Sequence, residues 1–171
     1  MRGYTLLELI VAVGIFSLVM LAATGAYIAL INVDRQARAV NDVVTNLSFA
    51  VDTMGREIRT GTDYKCGNLS GASANCSTPR SSFGFVDSSG RTVLYSQEGG
   101  QIIATIDGVT SPLTDPRITV ETLSFYVRGV GTGDDMQPQA TVAIYGTIDT
   151  GHGNSTSLSV QVGATQRLLE L

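Results

Sequence analysis

The strongest constraint on the fold of this chain is a long apolar run near its start. From Leu9 to Ile31, 23 residues carry no charged side chain, and hydroxyl groups occur only on Ser17, Thr24 and Tyr27. In a helix that rises about 1.5 Å per residue, such a run crosses a hydrocarbon core of about 30 Å. Glu8 lies directly before the run, and a carboxylate at the edge of a membrane is costly unless it has a functional partner. We therefore predict a membrane-spanning helix and regard Glu8 as a candidate functional residue.

The residues that precede the run carry a family resemblance. Gly3, Tyr4 and the segment Thr5-Leu6-Leu7-Glu8, followed by an apolar helix, resemble the cleavage and methylation segment of prepilins. That superfamily includes type IV pilins, minor pilins and the pseudopilins of type II secretion. The resemblance implies that prepilin peptidase cuts between Gly3 and Tyr4, and that the new amine of Tyr4 is then N-methylated. It also implies a role in subunit assembly for four residues: Thr5, Leu6, Leu7 and Glu8.

Two other kinds of N-terminal segment compete with this interpretation. A plain signal anchor can contain a glutamate by chance, and a cleaved secretory signal has an apolar region of only about 7–15 residues after a basic start. The leader of residues 1–3 is short, and Tyr4 stands where the family usually has phenylalanine. Arg2 lies before the run and Arg35 and Arg38 after it, so charge alone leaves the orientation open. The resemblance implies a cytoplasmic N-terminus and an extracytoplasmic head.

The length of the chain suggests one globular domain in addition to the membrane segment. The chain has 171 residues, a net charge of −4 and 15% charged residues, so no basic surface suggests nucleic acid as a partner.

The only two cysteines, Cys66 and Cys76, lie beyond the membrane segment, where an exported chain forms disulfides. A zinc site is the alternative, but the cysteines and the single His152 need carboxylates to complete four ligands. We expect a disulfide that closes the loop 66–76.

The helix is expected to continue beyond the membrane over residues 32–60. Apolar residues there follow spacings of four and three, which is typical of an amphipathic helix: Val33, Ala37, Val40, Val44, Leu47, Val51, Met54 and Ile58. The spacing also fits a coiled-coil dimer, but packing on the chain's own sheet is favoured because the stripe is poor in Leu and Ile. Asp34–Arg38 and Asp52–Arg56 are spaced for ion pairs. Gly61 is expected to end the helix.

Residues 61–171 are predicted to form a head in which a loop at residues 61–81 is followed by antiparallel strands. Alternation of apolar and polar residues, with turn signals between the segments, indicates strands with one buried face: Phe83–Val86, Thr92–Tyr95, Gln101–Ile106, 123–128, 141–145 and 158–165. A single sheet of about six strands, with its apolar face packed on the helix, gives an α+β, pilin-like fold. Its long N-terminal helix has a transmembrane half at residues 4–31 and an amphipathic half at residues 32–60. The end of the helix and the late strands look like those of J-type minor pseudopilins and related minor pilins.

Sites of chemistry are weakly indicated. Asp149-Thr150-Gly151 matches the tripeptide of aspartic proteases but has no second copy, so a strand-to-loop turn is the simpler interpretation. His152 has no sequence neighbour that would make it catalytic. The loop 129–138 contains Gly131-Thr132-Gly133-Asp134-Asp135, whose oxygens could bind calcium, although a solvated hairpin loop explains the same residues. We expect no enzymatic activity, no cofactor and no metal site.

The sequence therefore predicts a structural subunit: a minor pilin or pseudopilin of a type IV pilus, type II secretion or related fibre machine. The resemblance implies prepilin peptidase, other pilins or pseudopilins, the inner-membrane assembly platform and membrane lipid as partners. The expected location is the bacterial cell membrane, crossed once, and the pilus or pseudopilus after assembly. The alternative is a membrane-anchored extracytoplasmic binding domain that does not assemble, and a tethered hydrolase ranks third. Secretion, DNA uptake, adhesion and motility all remain open as the purpose of the machine.

Overall fold

The computed structural model describes residues 5–70, 73–76, 78–131, 136–151 and 154–167. Its elements are α1 (Leu6–Thr60), β1 (Thr62–Cys66), β2 (Ser82–Val86), β3 (Thr92–Glu98), β4 (Gln101–Ile106), β5 (Val109–Pro112), β6 (Ile118–Arg128), β7 (Gln139–Gly151) and β8 (Asn154–Thr165). The predicted α+β class, a long N-terminal helix followed by antiparallel sheets, is confirmed. The chain separates into two compact units between Ala39 and Val40, and each is described by itself.

Within the head unit, α1 buries one stripe of side chains. Its members are Val43, Leu47, Ala50, Val51, Met54, Gly55 and Ile58. The predicted stripe is correct from Leu47 onward but wrong at Val33, Ala37 and Val44, which are exposed. The predicted positions repeat every seven residues, whereas a straight helix drifts by about 20° per heptad from such a repeat. Towards the N-terminus, the predicted positions therefore turn away from the buried face of the helix. At this end Val43 is buried instead of the predicted Val44.

The two ion pairs predicted along α1 have different outcomes. Arg38 Nε lies 2.9 Å from the Asp34 carboxylate, so that pair forms as predicted on the exposed helix surface. Among the described residues, no salt bridge joins Asp52 to Arg56. Spacing alone therefore brings such side chains within reach but does not fix the contact.

The helix ends where predicted, before Gly61. Thr60 is its last residue, and the Gly61 N–H donates to the Ile58 carbonyl at 3.1 Å. A Cβ atom at Gly61 would lie 2.4 Å from a ring carbon of Phe85. Glycine therefore allows the chain to pass close to this core ring as it leaves the helix.

The head contains two antiparallel sheets: sheet A, in the order β1-β2-β3-β4-β5, and sheet B, in the order β6-β7-β8. The prediction of about six strands in a single sheet is therefore wrong, since the described residues form eight strands in two sheets. Strand β1 lies inside residues 61–81, which were predicted to be a loop, and β5 was not predicted at all. Both strands are short. In β1 the backbone of Asp63 adopts a φ of 55° beside a bulge, which hides any alternating pattern.

One hydrophobic core joins α1 to both sheets of the head. At its centre, the ring centroid of Phe83 lies 5.3 Å from that of Tyr64 and 5.5 Å from that of Phe125. Phe85 extends this aromatic group to Tyr95 at 5.6 Å. All five rings are buried. Since Phe125 belongs to β6 and the other four belong to β1, β2 and β3, these contacts fix sheet B to sheet A.

The segment after β1 is fastened at both ends. Cys66 and Cys76 form the expected disulfide, with Cα atoms 5.4 Å apart. The Cys76 N–H then donates to the Val127 carbonyl at 2.9 Å, and Arg80 and Phe125 exchange two backbone hydrogen bonds of 3.1 and 2.7 Å. These bonds satisfy backbone groups along the outer edge of β6, an edge that would otherwise be open to pairing with another chain.

Candidate functional site: the N-terminal segment

The start of α1 is fixed by a threonine cap. Thr5 Oγ1 accepts a hydrogen bond from the Glu8 N–H at 3.3 Å, and the Thr5 carbonyl accepts one from the Leu9 N–H at 3.2 Å. A threonine followed three residues later by glutamate is the pattern of a capping box. The family resemblance implies a role in assembly for Thr5 and Glu8, whereas this second role in capping was not predicted. The spacing within Thr5–Glu8 was the signal that would have revealed it.

Glu8 occupies the first turn of α1 and is exposed. A carboxylate in this position is favoured by the positive end of the helix dipole, by about 0.3–1 kcal/mol. In the part of the chain that the structure describes, Glu8 makes no salt bridge. The next charged residue along the helix is Asp34. Glu8 is therefore an isolated charge at one end of a long apolar surface, and it is available to a group from outside the described chain.

The surface of α1 that follows Glu8 is apolar on every side. Between Leu6 and Leu30, the large apolar side chains are each at least 50% exposed. The hydroxyls of Ser17 and Thr24 donate to carbonyls one turn earlier, both at 2.8 Å, and so require no water. Among the described residues, one helix is long and apolar enough to cross a membrane. A helix with no polar face suits lipid better than water, which indicates a single-pass membrane anchor.

Several residues singled out from the sequence lie outside the described chain. They include Gly3 and Tyr4 of the predicted cleavage and methylation site, His152, and Asp134 and Asp135 of the candidate calcium loop. Within the described ranges, no three His, Cys, Asp or Glu side chains come together as a metal site. The predicted cleavage site and calcium loop therefore stay predictions.

Two tyrosines of the head have strongly raised pKa values, and each donates a hydrogen bond to a residue near the end of α1. The Tyr95 hydroxyl donates to the Glu57 carboxylate, and burial, followed by this contact, raises the pKa of Tyr95 far above its usual range. The Tyr64 hydroxyl donates to the Ile58 carbonyl at 2.5 Å, and burial raises its pKa as well. Both bonds tie a strand of sheet A to the end of α1.

The aspartic protease tripeptide is part of a strand. Asp149, Thr150 and Gly151 close β7, and Asp149 stands opposite Ser155 of β8. The interpretation of the tripeptide as a strand-to-loop turn is therefore wrong, because the ladder of β7 and β8 continues through it with a bulge. The bulge breaks the regular alternation, which is why the sequence suggested that the strand ended earlier.

Comparison with known protein families gives a match at the N-terminal end of the chain, where this candidate site lies. Residues 1–24 match the model of the prokaryotic N-terminal methylation motif. No curated protein and no solved structure shows a significant match to the chain. The matched residues include Gly3, Tyr4, the Thr5 cap, Glu8 and the first part of the exposed apolar helix. The chain therefore carries a type IV prepilin-like N-terminal segment, which points to a structural subunit processed by prepilin peptidase.

Proposed function

We propose that this chain is a minor pilin or pseudopilin that prepilin peptidase cuts after Gly3 and that assembles through its N-terminal helix. The observation that carries the proposal is the methylation motif at residues 1–24, continuous with an exposed apolar helix that contains no charge after Glu8 until Asp34. The N-terminus is cytoplasmic and the head extracytoplasmic. On assembly the helix exchanges lipid for a bundle of similar helices. The resemblance of the helix end and late strands supports a place near J-type minor pseudopilins, at the tip or initiation complex.

In this proposal Glu8 supplies the charge that directs docking. Cleavage creates an amine on Tyr4, which lies four residues before Glu8 in the sequence. A free amine at the edge of an apolar bundle needs a negative partner, because an unpaired charge is costly in a medium of low dielectric. Glu8 of a neighbouring subunit provides that partner. The isolation of Glu8 from every described cation leaves it free for this pairing.

Three variants separate charge pairing from helix capping. Glu8→Leu removes both the charge and the side-chain oxygens. Glu8→Gln removes the charge but keeps a residue that a capping box accepts. Thr5→Val removes the cap hydroxyl and leaves Glu8 charged. Each variant is expressed at equal level with prepilin peptidase and the prepilins of its own machine, and its incorporation into pili or pseudopili is measured after shearing or cross-linking.

We expect Glu8→Leu and Glu8→Gln to insert in the membrane with a folded head but to be lost from the assembled fibre. Thr5→Val should still be incorporated. If Glu8→Gln assembles as well as the unchanged chain, the charge-pairing role of Glu8 is wrong. If Glu8→Leu and Thr5→Val fail while Glu8→Gln is incorporated, helix capping explains the defect. A tethered binding domain that never assembles is the alternative function, and it predicts that even the unchanged chain is absent from the fibre.

A further inference from the structure

The outward face of sheet B carries a shallow cavity that the proposed function does not use. Its volume is about 350 Å³, at the lower end of the range of about 300–1,000 Å³ for small-molecule sites. Six side chains line it: Tyr126, Arg128, Gln139, Thr141, Ala143 and Gln161. We call this surface the outer trough. It faces away from the core, because the residues between these positions on β6 and β7 are buried.

The strand register explains the shape of the outer trough. Tyr126 of β6 stands opposite Thr141 of β7, which in turn stands opposite Gly163 of β8. Since Gly163 has no side chain, the surface along this row is raised at the Tyr126 ring and lies at the level of the backbone at Gly163. A Cβ atom at Gly163 would come no closer than 4.0 Å to its nearest neighbours, in Gln139 and Thr141. Packing therefore does not require glycine here, and its absence of a side chain keeps the trough open.

The polar side chains of the outer trough form no ion pair and no side-chain hydrogen bond within the described part of the chain. Arg128 makes no ion pair there, whereas Arg91 and Arg117 each hold a carboxylate, at 2.7 and 2.9 Å. The other polar side chains that line the trough make no side-chain hydrogen bond among the described residues. Outward positions from the row of Arg128 to the row of Tyr145 carry no carboxylate. Arg128 therefore has no carboxylate partner in these rows.

We propose that the outer trough binds an acidic glycan, a chain of sugar rings with widely spaced carboxylates. Tyr126 is 41% exposed and offers an apolar ring face to a sugar. The Arg128 guanidinium can hold a carboxylate through two parallel N–H bonds. Amide and hydroxyl side chains along the trough can both donate to and accept from sugar hydroxyls. Tyr145, 47% exposed on the same face, continues the surface towards a further ring.

Charge complementarity favours a glycan over single-stranded nucleic acid, which also stacks on tyrosine. Nucleic acid carries a phosphate on every nucleotide, and its binding depends on several Lys or Arg side chains. The outer trough presents a single cation, Arg128, among neutral groups. One cation on a surface rich in amides and hydroxyls matches one carboxylate for every two or more sugar rings. The inference is independent of whether the chain assembles into a fibre.

The test measures binding to the full-length chain in lipid nanodiscs by surface plasmon resonance. The probe is a hexasaccharide of alternating glucuronate and N-acetylglucosamine, compared with a neutral N-acetylglucosamine hexasaccharide and with a thymidine hexanucleotide. We expect the acidic hexasaccharide to bind at least about tenfold more tightly than the other two. Arg128→Gln, Tyr126→Ala and Gly163→Val should each weaken it by about tenfold or more, the last because a valine fills the trough.

Two matched variants serve as controls. Arg56→Gln removes an exposed arginine from α1, away from the trough, and Ser157→Val adds a valine to the outward face of β8 beyond the trough. Both should bind the acidic hexasaccharide within about twofold of the unchanged chain. Absence of binding at millimolar probe, equal binding of the neutral sugar, or binding unaffected by Arg128→Gln would overturn the proposal. Tighter, Arg128-dependent binding of the hexanucleotide would assign the trough to nucleic acid instead.

Discussion

Truncation of one buried residue of α1, compared with truncation of one exposed residue, tests the packing of the helix in the head. Met54 is completely buried in the core, whereas Phe49, five residues earlier on the same helix, is 70% exposed. Met54→Ala should lower the free energy of unfolding by about 2–5 kcal/mol, because it removes buried groups and leaves a cavity. Phe49→Ala removes a larger side chain but little buried area. It should cost under about 1 kcal/mol.

The helix propensity of alanine sharpens the contrast. Alanine is a better helix former than phenylalanine by about 0.5 kcal/mol, which offsets most of the small loss at Phe49. With a urea slope of about 2 kcal/mol/M, Met54→Ala should lower the unfolding midpoint by roughly 1–2.5 M, and Phe49→Ala should leave it nearly unchanged. The chain has no tryptophan, so near-ultraviolet circular dichroism of the four tyrosines in the head, Tyr64, Tyr95, Tyr126 and Tyr145, reports its unfolding.

The reasoning fails if the two variants behave alike. Equal destabilisation would mean that the outer face of α1 is packed as tightly as the stripe, as in a stable dimer of the amphipathic half. A loss under about 0.5 kcal/mol for Met54→Ala would mean that α1 contributes little to the core. Both measurements use the full-length chain in the same detergent, so the membrane segment is common to each comparison.

Two further predictions concern covalent and ionic contacts of the head. Replacement of Cys66 and Cys76 by serine opens a loop with a sequence separation of 10 and should cost about 2–3 kcal/mol, measured by urea unfolding with and without reductant; equal midpoints for oxidised and reduced protein would contradict it. The side chain and backbone of Arg117 hold the pKa of Asp115 at about 2, below its usual 3.8, so the stabilisation from this pair is present above pH 4 and lost as the pH falls towards 2. Asp115→Asn should therefore lower stability, by at most about 1 kcal/mol, near neutral pH but not at pH 2, and a difference that does not change with pH would refute this origin.

The helix of this fold could be predicted from the sequence more accurately than the arrangement of the strands in sheets. The uncharged run and the stripe from Leu47 to Ile58 predicted a helix whose observed end, Thr60, agrees with the stop signal at Gly61. The spacing of buried residues along a helix and the position of a glycine at its end depend on residues that are close in sequence, so the sequence reveals both. The division of the strands between two sheets depends on contacts such as that of Phe83 with Phe125, which are far apart in sequence. No local pattern encodes that pairing.

The candidate site shows the same division. The spacing of Thr5 and Glu8 was sufficient to predict a helix cap, yet the family resemblance drew attention to assembly alone. The outer trough had no comparable signal, because Tyr126 and Gly163 lie on β6 and β8 and meet only through the register of β7. Alternation predicted that such residues face solvent, whereas the identity of their cross-strand neighbours required the structure.

The state of the N-terminus tests the central claim most directly. The full-length chain is co-expressed with a prepilin peptidase, extracted from the membrane and analysed by mass spectrometry of its N-terminal peptide, beside a Gly3→Leu variant that should resist cleavage. The account predicts that the unchanged chain has lost Met1, Arg2 and Gly3 and begins with an N-methylated Tyr4, whereas Gly3→Leu keeps its first three residues. Recovery of Met1 from the unchanged chain, in the same proportion as from Gly3→Leu, would contradict the claim that this chain is a prepilin-like subunit.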